Sequence, residues 1–431
     1  MDRILDALKK NSRMMLLAAA ALYALKKYAD LRACHHTVTY QLTPAQREEQ
    51  PMKEIYPNYF KNKSGLWLHV RRWHPHASSN YTTLPRGVVF LVHGYAEHIG
   101  RYEHIAERLA RLGYYVCGID HQGHGMSDGD RAHVERFEHF VQDYLAFMAF
   151  EQANLLAEWQ TRNASTQFEP ITNPPCFILG HSMGGLIAYF LALAIQGGES
   201  VLSDESLFRK SPPPEEAKEL PLSPVPPSHN VALAASPLGS TAGVNTPYTP
   251  AQLQRASSIS PTNPQGILAA TKGLWPIRGV IFSSPAFAID PVQASALVQF
   301  IAGLFSTLTP KLPMAPLDAD GVSSIPQVVA RYKADPLNYT GFIRARLGHE
   351  FASAIKRARS SFAKFTLPFL IIHGERDTIC PPSGSRELFA NASSQDKELK
   401  IYNKSQHEVF LDVDASRAIL DVTTWLRDRS E

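Results

Sequence analysis

Gly180-His181-Ser182-Met183-Gly184 constrains this chain more than any other stretch. Before it comes the apolar run Pro175-Cys176-Phe177-Ile178-Leu179, which reads as a strand buried on both faces. After it, Gly185-Leu186-Ile187-Ala188-Tyr189-Phe190-Leu191 reads as an apolar helix. Strand, sharp turn and helix in that order demand small residues around Ser182. The backbone is strained at the serine and the helix packs close behind it. The turn lifts the hydroxyl above a sheet edge and sets it at a helix N-terminus, where the peptide dipoles favour negative charge. Five residues of this pattern recur by chance, and a serine in an ordinary βα turn is the plain alternative. The flanking strand and helix give the motif its weight.

Other segments repeat the alternation. Leu66-Trp67-Leu68-His69-Val70 alternates as a half-buried strand should, while residues 37–60 read as an irregular lead-in. Val88-Val89-Phe90-Leu91-Val92 and Tyr115-Val116-Cys117-Gly118-Ile119-Asp120 are continuous apolar runs, with helical spacing between them at Ile105, Leu109 and Leu112. Further strands are expected at Cys176–Leu179, Val280–Ser283, Phe369–Ile372 and Leu399–Tyr402, and a last helix near Ala415–Leu426. Strands alternating with helices imply βαβ units and a mostly parallel sheet.

Two segments break the rhythm. From Glu199 to Lys272 the chain is rich in proline, serine and threonine, with little apolar periodicity. It is expected to be a disordered surface insertion. At the other end, Met14–Leu25 is apolar and alanine-rich, flanked by Lys9, Lys10, Arg13, Lys26 and Lys27. It is short for a membrane span, which needs about 20 apolar residues. A basic amphipathic helix in a membrane interface is the preferred reading; a signal or transit peptide and a helix docked on the protein surface are the alternatives.

Composition narrows the field. The formal net charge is +3 and no basic cluster interleaved with aromatics occurs, so nothing points to nucleic acid. The four cysteines, at 34, 117, 176 and 380, form no C-x-x-C pair and suggest neither a disulfide framework nor a zinc site.

A serine hydroxyl is a poor nucleophile until a base takes its proton. Asp377 follows the expected strand Phe369–Ile372 through His373-Gly374-Glu375-Arg376, and His407 follows the strand at Leu399–Tyr402. Ser182, Asp377 and His407 therefore all leave the carboxyl edges of strands, where open α/β sheets hold ligands. Their order is that of hydrolases with this topology. In these roles His407 takes the Ser182 proton and returns it to the leaving group, and Asp377 fixes the imidazole tautomer. His93 and His181 are competing histidines; Asp120 and Asp128 are rival acids. His181 is expected to point away from the turn and His93 to order the loop after its strand. The N–H groups of Met183 and Tyr95 are the expected donors to a developing oxyanion. No cofactor and no metal are called for.

With these residues in place the chain resembles a family. His93-Gly94-Tyr95-Ala96-Glu97-His98-Ile99-Gly100-Arg101-Tyr102 is similar to the H-G-x-x-E-H-x-x-R-Y segment of monoacylglycerol lipases. Asp120-His121-Gln122-Gly123-His124-Gly125-Met126-Ser127 is similar to their D-x-x-G-H-G-x-S turn. The elbow at 180–185 and the stretch from Ser394 to His407 also match, and the likeness runs from roughly Tyr59 to Leu426 outside the insertion. Tyr95-Ala96, the insertion and the basic N-terminus depart from the pattern. The resemblance implies a lysophospholipase or serine aminopeptidase S33-type α/β-hydrolase, with helices on both faces of the sheet and a helical cap inserted before the penultimate strand. In that family the cap receives the acyl chain on its apolar face, and the stripe Leu297, Val298, Phe300, Ile301, Leu304, Phe305 and Leu308 suits it.

The expected organisation is an N-terminal helix over 1–36, core over 37–198, insertion over 199–272, core strand over 273–287, cap over 288–360 and core over 361–431. The expected activity is hydrolysis of monoacylglycerol to glycerol and fatty acid through an acyl-enzyme on Ser182, at a membrane facing the cytosol. A lysophospholipase, a soluble carboxylesterase or thioesterase, and a non-catalytic binding protein are the alternatives in activity. An organelle or the secretory pathway is the alternative in place.

Overall fold

The computed structural model describes residues 58–76, 85–163, 173–202, 274–288 and 303–430. The proposed N-terminal helix and nearly all of the proline-rich segment lie outside the described residues. No described helix is long and apolar enough to cross a membrane.

The core is an eight-stranded sheet. In chain order its strands are β1 (Tyr59–Lys61), β2 (Trp67–Trp73), β3 (Gly87–Val92), β4 (Tyr114–Ile119), β5 (Cys176–His181), β6 (Ile277–Ser283), β9 (Phe369–Gly374) and β10 (Lys397–Tyr402). Across the sheet they run β1-β2-β4-β3-β5-β6-β9-β10. The β1–β2 and β2–β4 pairs are antiparallel and all others are parallel. The strand β1 corrects the expectation of an irregular 37–60: Tyr59 and Phe60, at the end of that stretch, pair with His69 and Leu68 of β2 as part of a short edge strand.

The apolar runs have a simple cause. In β3, Val88, Phe90 and Val92 enter one buried cluster while Val89 and Leu91 enter another on the opposite face. Both faces are covered, so every residue of the strand is apolar or glycine. Helix α1 (Glu103–Arg111) buries Ile105, Ala106, Leu109 and Ala110 and keeps Arg108 and Arg111 in its last turn, where cations suit the dipole. The long helix α2 (Phe137–Asn163) was not anticipated from the sequence. It buries Phe140, Val141, Tyr144, Leu145, Phe147 and Met148, a face too broad to show a clean single stripe. Helix α3 (Met183–Leu202) follows β5 directly, and α6 (Ser383–Asn391) and α7 (Ala415–Arg427) complete the layers.

Between β6 and β9, ahead of the penultimate strand as expected, the chain leaves the sheet to build a cap. It contains α4 (Pro326–Ala334), α5 (Ala345–Ser360) and a small antiparallel pair, β7 (Pro313–Pro316) with β8 (Phe342–Arg344). The cap is therefore helical with a two-stranded ribbon added. Of the apolar stripe expected over 297–308, residues 303–308 are helical, and Leu304 and Leu308 are 49% and 68% exposed.

The strand order sets the site. From β3 the chain moves to β4 on one side and then to β5 on the other. The carboxyl ends of β3 and β5 thus flank a topological switch point, where a crevice opens. Val92 pairs with Gly180, and His181 with Ser283, so these strand ends are level.

Candidate active site

Ser182 occupies the turn between β5 and α3 with φ 54°, in the left-handed region that side-chain-bearing residues avoid. The surroundings hold it there. Its N–H donates to the Ser283 carbonyl at 2.9 Å, and its carbonyl accepts from the N–H of Gly185 at 3.0 Å and of Ala286 at 3.0 Å. The two flanking glycines are steric requirements. A Cβ on Gly184 would stand 2.1 Å from the Val92 carbonyl oxygen, and one on Gly180 2.3 Å from the Gly184 carbonyl oxygen.

Asp377 and His407 meet as expected from their strand ends. His407 Nδ1 lies 2.7 Å from Asp377 Oδ2, and both residues are buried. The other carboxylate oxygen, Oδ1, accepts from the N–H of Ile379 at 2.9 Å and of Cys380 at 2.8 Å. Burial alone would raise the Asp377 carboxyl. The adjacent His407, together with His373 and its hydrogen bonds, holds it well below the ordinary carboxylate range. Burial likewise opposes charge on His407, but the Asp377 carboxylate outweighs it and raises the imidazole above its usual value. An ionised acceptor at Nδ1 fixes the proton there and leaves Nε2 as the basic nitrogen.

Ser182 Oγ is not hydrogen-bonded to His407 among the described residues. It lies 3.9 Å from the thiol sulfur of Cys380. The His181 ring bridges the two parts, with its centroid 4.7 Å from that of His407. His181 thus packs against the candidate base and does not turn away from the site. Its Nδ1 sits 3.2 Å from Ser283 Oγ, and burial beside His407 lowers its basicity.

The loop after β3 reaches Ser182: a Cβ on Gly94 would be 3.1 Å from the serine Cβ. His93 orders this loop, as the sequence suggested. The N–H of His121 donates to His93 Nε2 at 2.9 Å, so the ring carries its proton on Nδ1 and donates to the Gly94 carbonyl at 2.7 Å. The peptide is planar and trans, so pinning that carbonyl turns the Tyr95 N–H to the opposite side. No described acceptor takes the N–H of Tyr95 or of Met183, the first residue of α3. Ala96 follows with φ 66°, in a conformation that favours glycine.

The rival acids are structural. Asp120 accepts from the N–H of Ile99 at 2.7 Å and of Met126 at 2.9 Å, and faces His69 at 2.9 Å. Asp128 accepts from the Trp67 N–H at 2.9 Å. No cluster able to hold a metal ion occurs among the described residues.

The sequence pattern of the serine aminopeptidase S33 family matches residues 83–201 and 266–414, well over half of the chain. The chain belongs to that family. The two blocks exclude 202–265, which is most of the proline-rich stretch. This S33 hydrolase is 28% identical over 344 residues to a monoacylglycerol lipase of Mycolicibacterium smegmatis, covering 80% of this chain and 89% of that one. It is 24% identical over 371 residues to the human monoglyceride lipase, covering 86% and 89%. Its fold is also that of solved structures. A monoacylglycerol lipase from Paleococcus ferrophilus superposes with a TM-score of 0.52 at 23% identity, over 84% of this chain and 99% of that one. A soluble variant of the Saccharomyces cerevisiae monoglyceride lipase, bound to a substrate analogue, gives 0.54 at 20% identity over 86% and 95%. The α/β-hydrolase fold and the assignment to hydrolytic enzymes stand on these matches and on the sheet described above.

Two neighbours of the S33 site were missed from sequence. His373 ends β9 and places Nε2 3.1 Å from Asp377 Oδ2 and 2.9 Å from the Cys380 carbonyl oxygen, with Nδ1 2.7 Å from Ser385 Oγ. A lone histidine closing the apolar run Phe369–Ile372 was the available signal. Cys380, three residues after Asp377, gave none, because a scattered cysteine usually fills space as a small hydrophobe.

Proposed function

We propose that this enzyme hydrolyses monoacylglycerols to glycerol and fatty acid through an acyl-enzyme on Ser182. In this reading a rotation of the Ser182 side chain brings its hydroxyl from Cys380 to His407 Nε2, a tightening that free enzymes often leave to substrate binding. His407 takes the proton as Ser182 attacks the ester carbonyl, then returns it to the departing glycerol. Asp377 stays ionised and stabilises the imidazolium. The N–H groups of Tyr95 and Met183 receive the oxyanion; each such donor is worth on the order of a hundredfold in rate. Water then repeats the sequence on the acyl-enzyme. The observation that carries the mechanism is the 2.7 Å pairing of Asp377 with His407 beneath a strained Ser182 elbow. The lipid substrate is supported by the relatives named for monoacylglycerol hydrolysis, which this chain matches over four-fifths or more of its length.

The reading extends to a membrane surface on the cytosolic side, reached by the N-terminal segment and the cap. Leu304, Leu308 and Met314 on the cap are exposed by 49%, 68% and 39%, which suits contact with lipid.

The decisive experiment is labelling with a fluorophosphonate, followed by hydrolysis of monoacylglycerols of graded chain length. Wild type is expected to label and to prefer long acyl chains, and Ser182→Ala to do neither while remaining folded. A rate maximum at very short acyl groups overturns the lipase reading. Hydrolysis surviving in Ser182→Ala overturns the role of Ser182. Liposome flotation with and without residues 1–36 tests the anchor, and equal recovery removes it.

A further inference from the structure

Beside the candidate base lies a buried cluster of ionisable groups that the mechanism above does not use. Arg101 sits on the short turn Ile99–Tyr102, between two carboxylates from distant parts of the chain. Its Nε donates to Glu97 Oε2 at 3.0 Å, and one Nη donates to both oxygens of Glu408 at 2.6 and 2.5 Å. The side chains of Arg101, Glu97 and Glu408 are only 9%, 5% and 8% exposed. Removing a guanidinium and two carboxyl groups from water is costly, and burial pushes Glu408 up to about 7, so the retention of the trio asks for a reason beyond stability.

The far end of each carboxylate supplies one. Glu97 Oε1 accepts from the Gly94 N–H at 2.6 Å and from the Tyr102 hydroxyl at 2.6 Å. Glu97 therefore clamps one side of the same glycine whose carbonyl His93 holds on the other. Glu408 is the residue after His407, and its own N–H donates to the Val322 carbonyl at 2.7 Å. The guanidinium thus joins the loop that carries one oxyanion donor to the loop that carries the base. The cap closes over the junction. The Tyr332 ring lies 4.7 Å from the guanidinium carbon, and its hydroxyl donates to the Ala96 carbonyl at 3.4 Å.

We propose that Arg101 is a positioning residue, whose guanidinium sets the spacing between the Gly94–Tyr95 oxyanion loop and the His407 loop by bridging Glu97 to Glu408. The inference rests on the catalytic reading given above. A reacting group must be held to within about half an ångström of its productive place. Neither loop is regular structure, and no strand pairing fixes one against the other. A planar fork with donors on two sides meets that need, whereas an ammonium, a single point of charge, does not span both carboxylates.

The experiment uses the full chain with Arg101→Met, Arg101→Lys and Glu408→Gln. Competent sites are counted by exhaustive fluorophosphonate titration, so that misfolded protein drops out of the rate. Per titrated site, Arg101→Met is expected to lower kcat for a monoacylglycerol by about a hundredfold with KM within threefold. Arg101→Lys should recover only part of that loss. Glu408→Gln preserves shape and one acceptor and should lower kcat about tenfold, so it decides the matter if Arg101→Met does not fold. A kcat per site within threefold of wild type in the folded variants overturns the proposal, as does a loss carried by KM alone. A wild type that takes no fluorophosphonate defeats the catalytic reading itself. A labelled wild type with unchanged variants defeats only the role of Arg101.

Discussion

Gly184→Ala tests the elbow through a clash of known size. The added methyl carbon would lie 2.1 Å from the Val92 carbonyl oxygen and 2.5 Å from that of His93. Both are backbone atoms of the central strand β3 and its exit, so neither yields as a side-chain tip would. A carbon settles against a carbonyl oxygen at about 3.3 Å, so the start of α3 must withdraw by roughly 1 Å. That start carries Met183 N–H and is joined to Ser182, whose carbonyl receives the Gly185 N–H. A 1 Å displacement of reacting groups costs about a hundredfold in rate. Overpacking of this kind destabilises by about 1–3 kcal/mol. The matched control is Gly348→Ala in α5, where the new carbon meets only the Ile343 methyl at an ordinary 3.5 Å. There the gain in helix propensity is about 0.5–1 kcal/mol, with activity unchanged. Steady-state kinetics and thermal unfolding of both variants check the pair. Activity of Gly184→Ala within threefold of wild type would refute the argument that backbone contact with β3 holds the nucleophile in place.

Asp377→Asn preserves the shape of the site but removes the charge that fixes the imidazole proton. A fall in kcat of about 10⁴ is expected, measured on folded, fluorophosphonate-titrated protein; a loss under tenfold would contradict the pairing seen here. The acid limb of kcat/KM should lie above the ordinary imidazole value near 6.5, since burial is outweighed on His407 by Asp377, Glu408 and Glu97. Activity is therefore lost as pH falls through that raised value, and a limb well below 6 would exclude His407 as the base. Stability should fall over a different window. Burial holds His121 down to about 3 and His124 and His104 down to about 4, while the unfolded chain binds protons near 6.5. At these histidines, and at His93 and His181, the unfolded state takes up more protons between those values. Asp143 and Glu408, raised by burial to about 7, act in the opposite sense but are fewer, so the melting temperature should drop from about pH 6.5 to 4. A flat melting temperature across that range would count against the buried neutral histidines.

What the sequence disclosed, and what it withheld, follows from how far each signal reaches along the chain. Strands β3, β4, β5 and β9 are covered on both faces, and that condition writes an apolar run legible without any partner. The elbow was legible because its steric demands fall on adjacent residues, Gly180 and Gly184. Asp377 and His407 could be chosen only through the geometry of strand ends. Helix α2 escaped because its buried face is wide and carries charge as well: Glu151 lies 1% exposed and pairs with Arg72 at 2.7 Å from β2. The Arg101 bridge escaped for a related reason. Its two carboxylates are 311 residues apart, at 97 and 408, and nothing in either local pattern names the other.

The hydrogen bonds around Asp377 explain how a buried carboxylate stays charged without becoming the proton's destination. Oδ1 is occupied by two backbone N–H groups, and Oδ2 is shared between His407 and His373. Each donor stabilises the anion and weakens it as a base toward the others. His373 is itself tied down by Ser385 Oγ and the Cys380 carbonyl, so it supports Asp377 from a fixed position. The carboxylate therefore raises the basicity of His407 by its field, while its three other donors, Ile379 N–H, Cys380 N–H and His373, keep it from taking the proton. In the proposed mechanism this arrangement sets the polarity of the relay: protons pass between Ser182 and the imidazole, and Asp377 orients and stabilises. The same arrangement fits the dense bonding of β9 and its exit turn, while among the described residues Ser182 Oγ has only a 3.9 Å contact to sulfur. On the proposed mechanism Asp377 stays in place during turnover, whereas Ser182 leaves its resting contact to react.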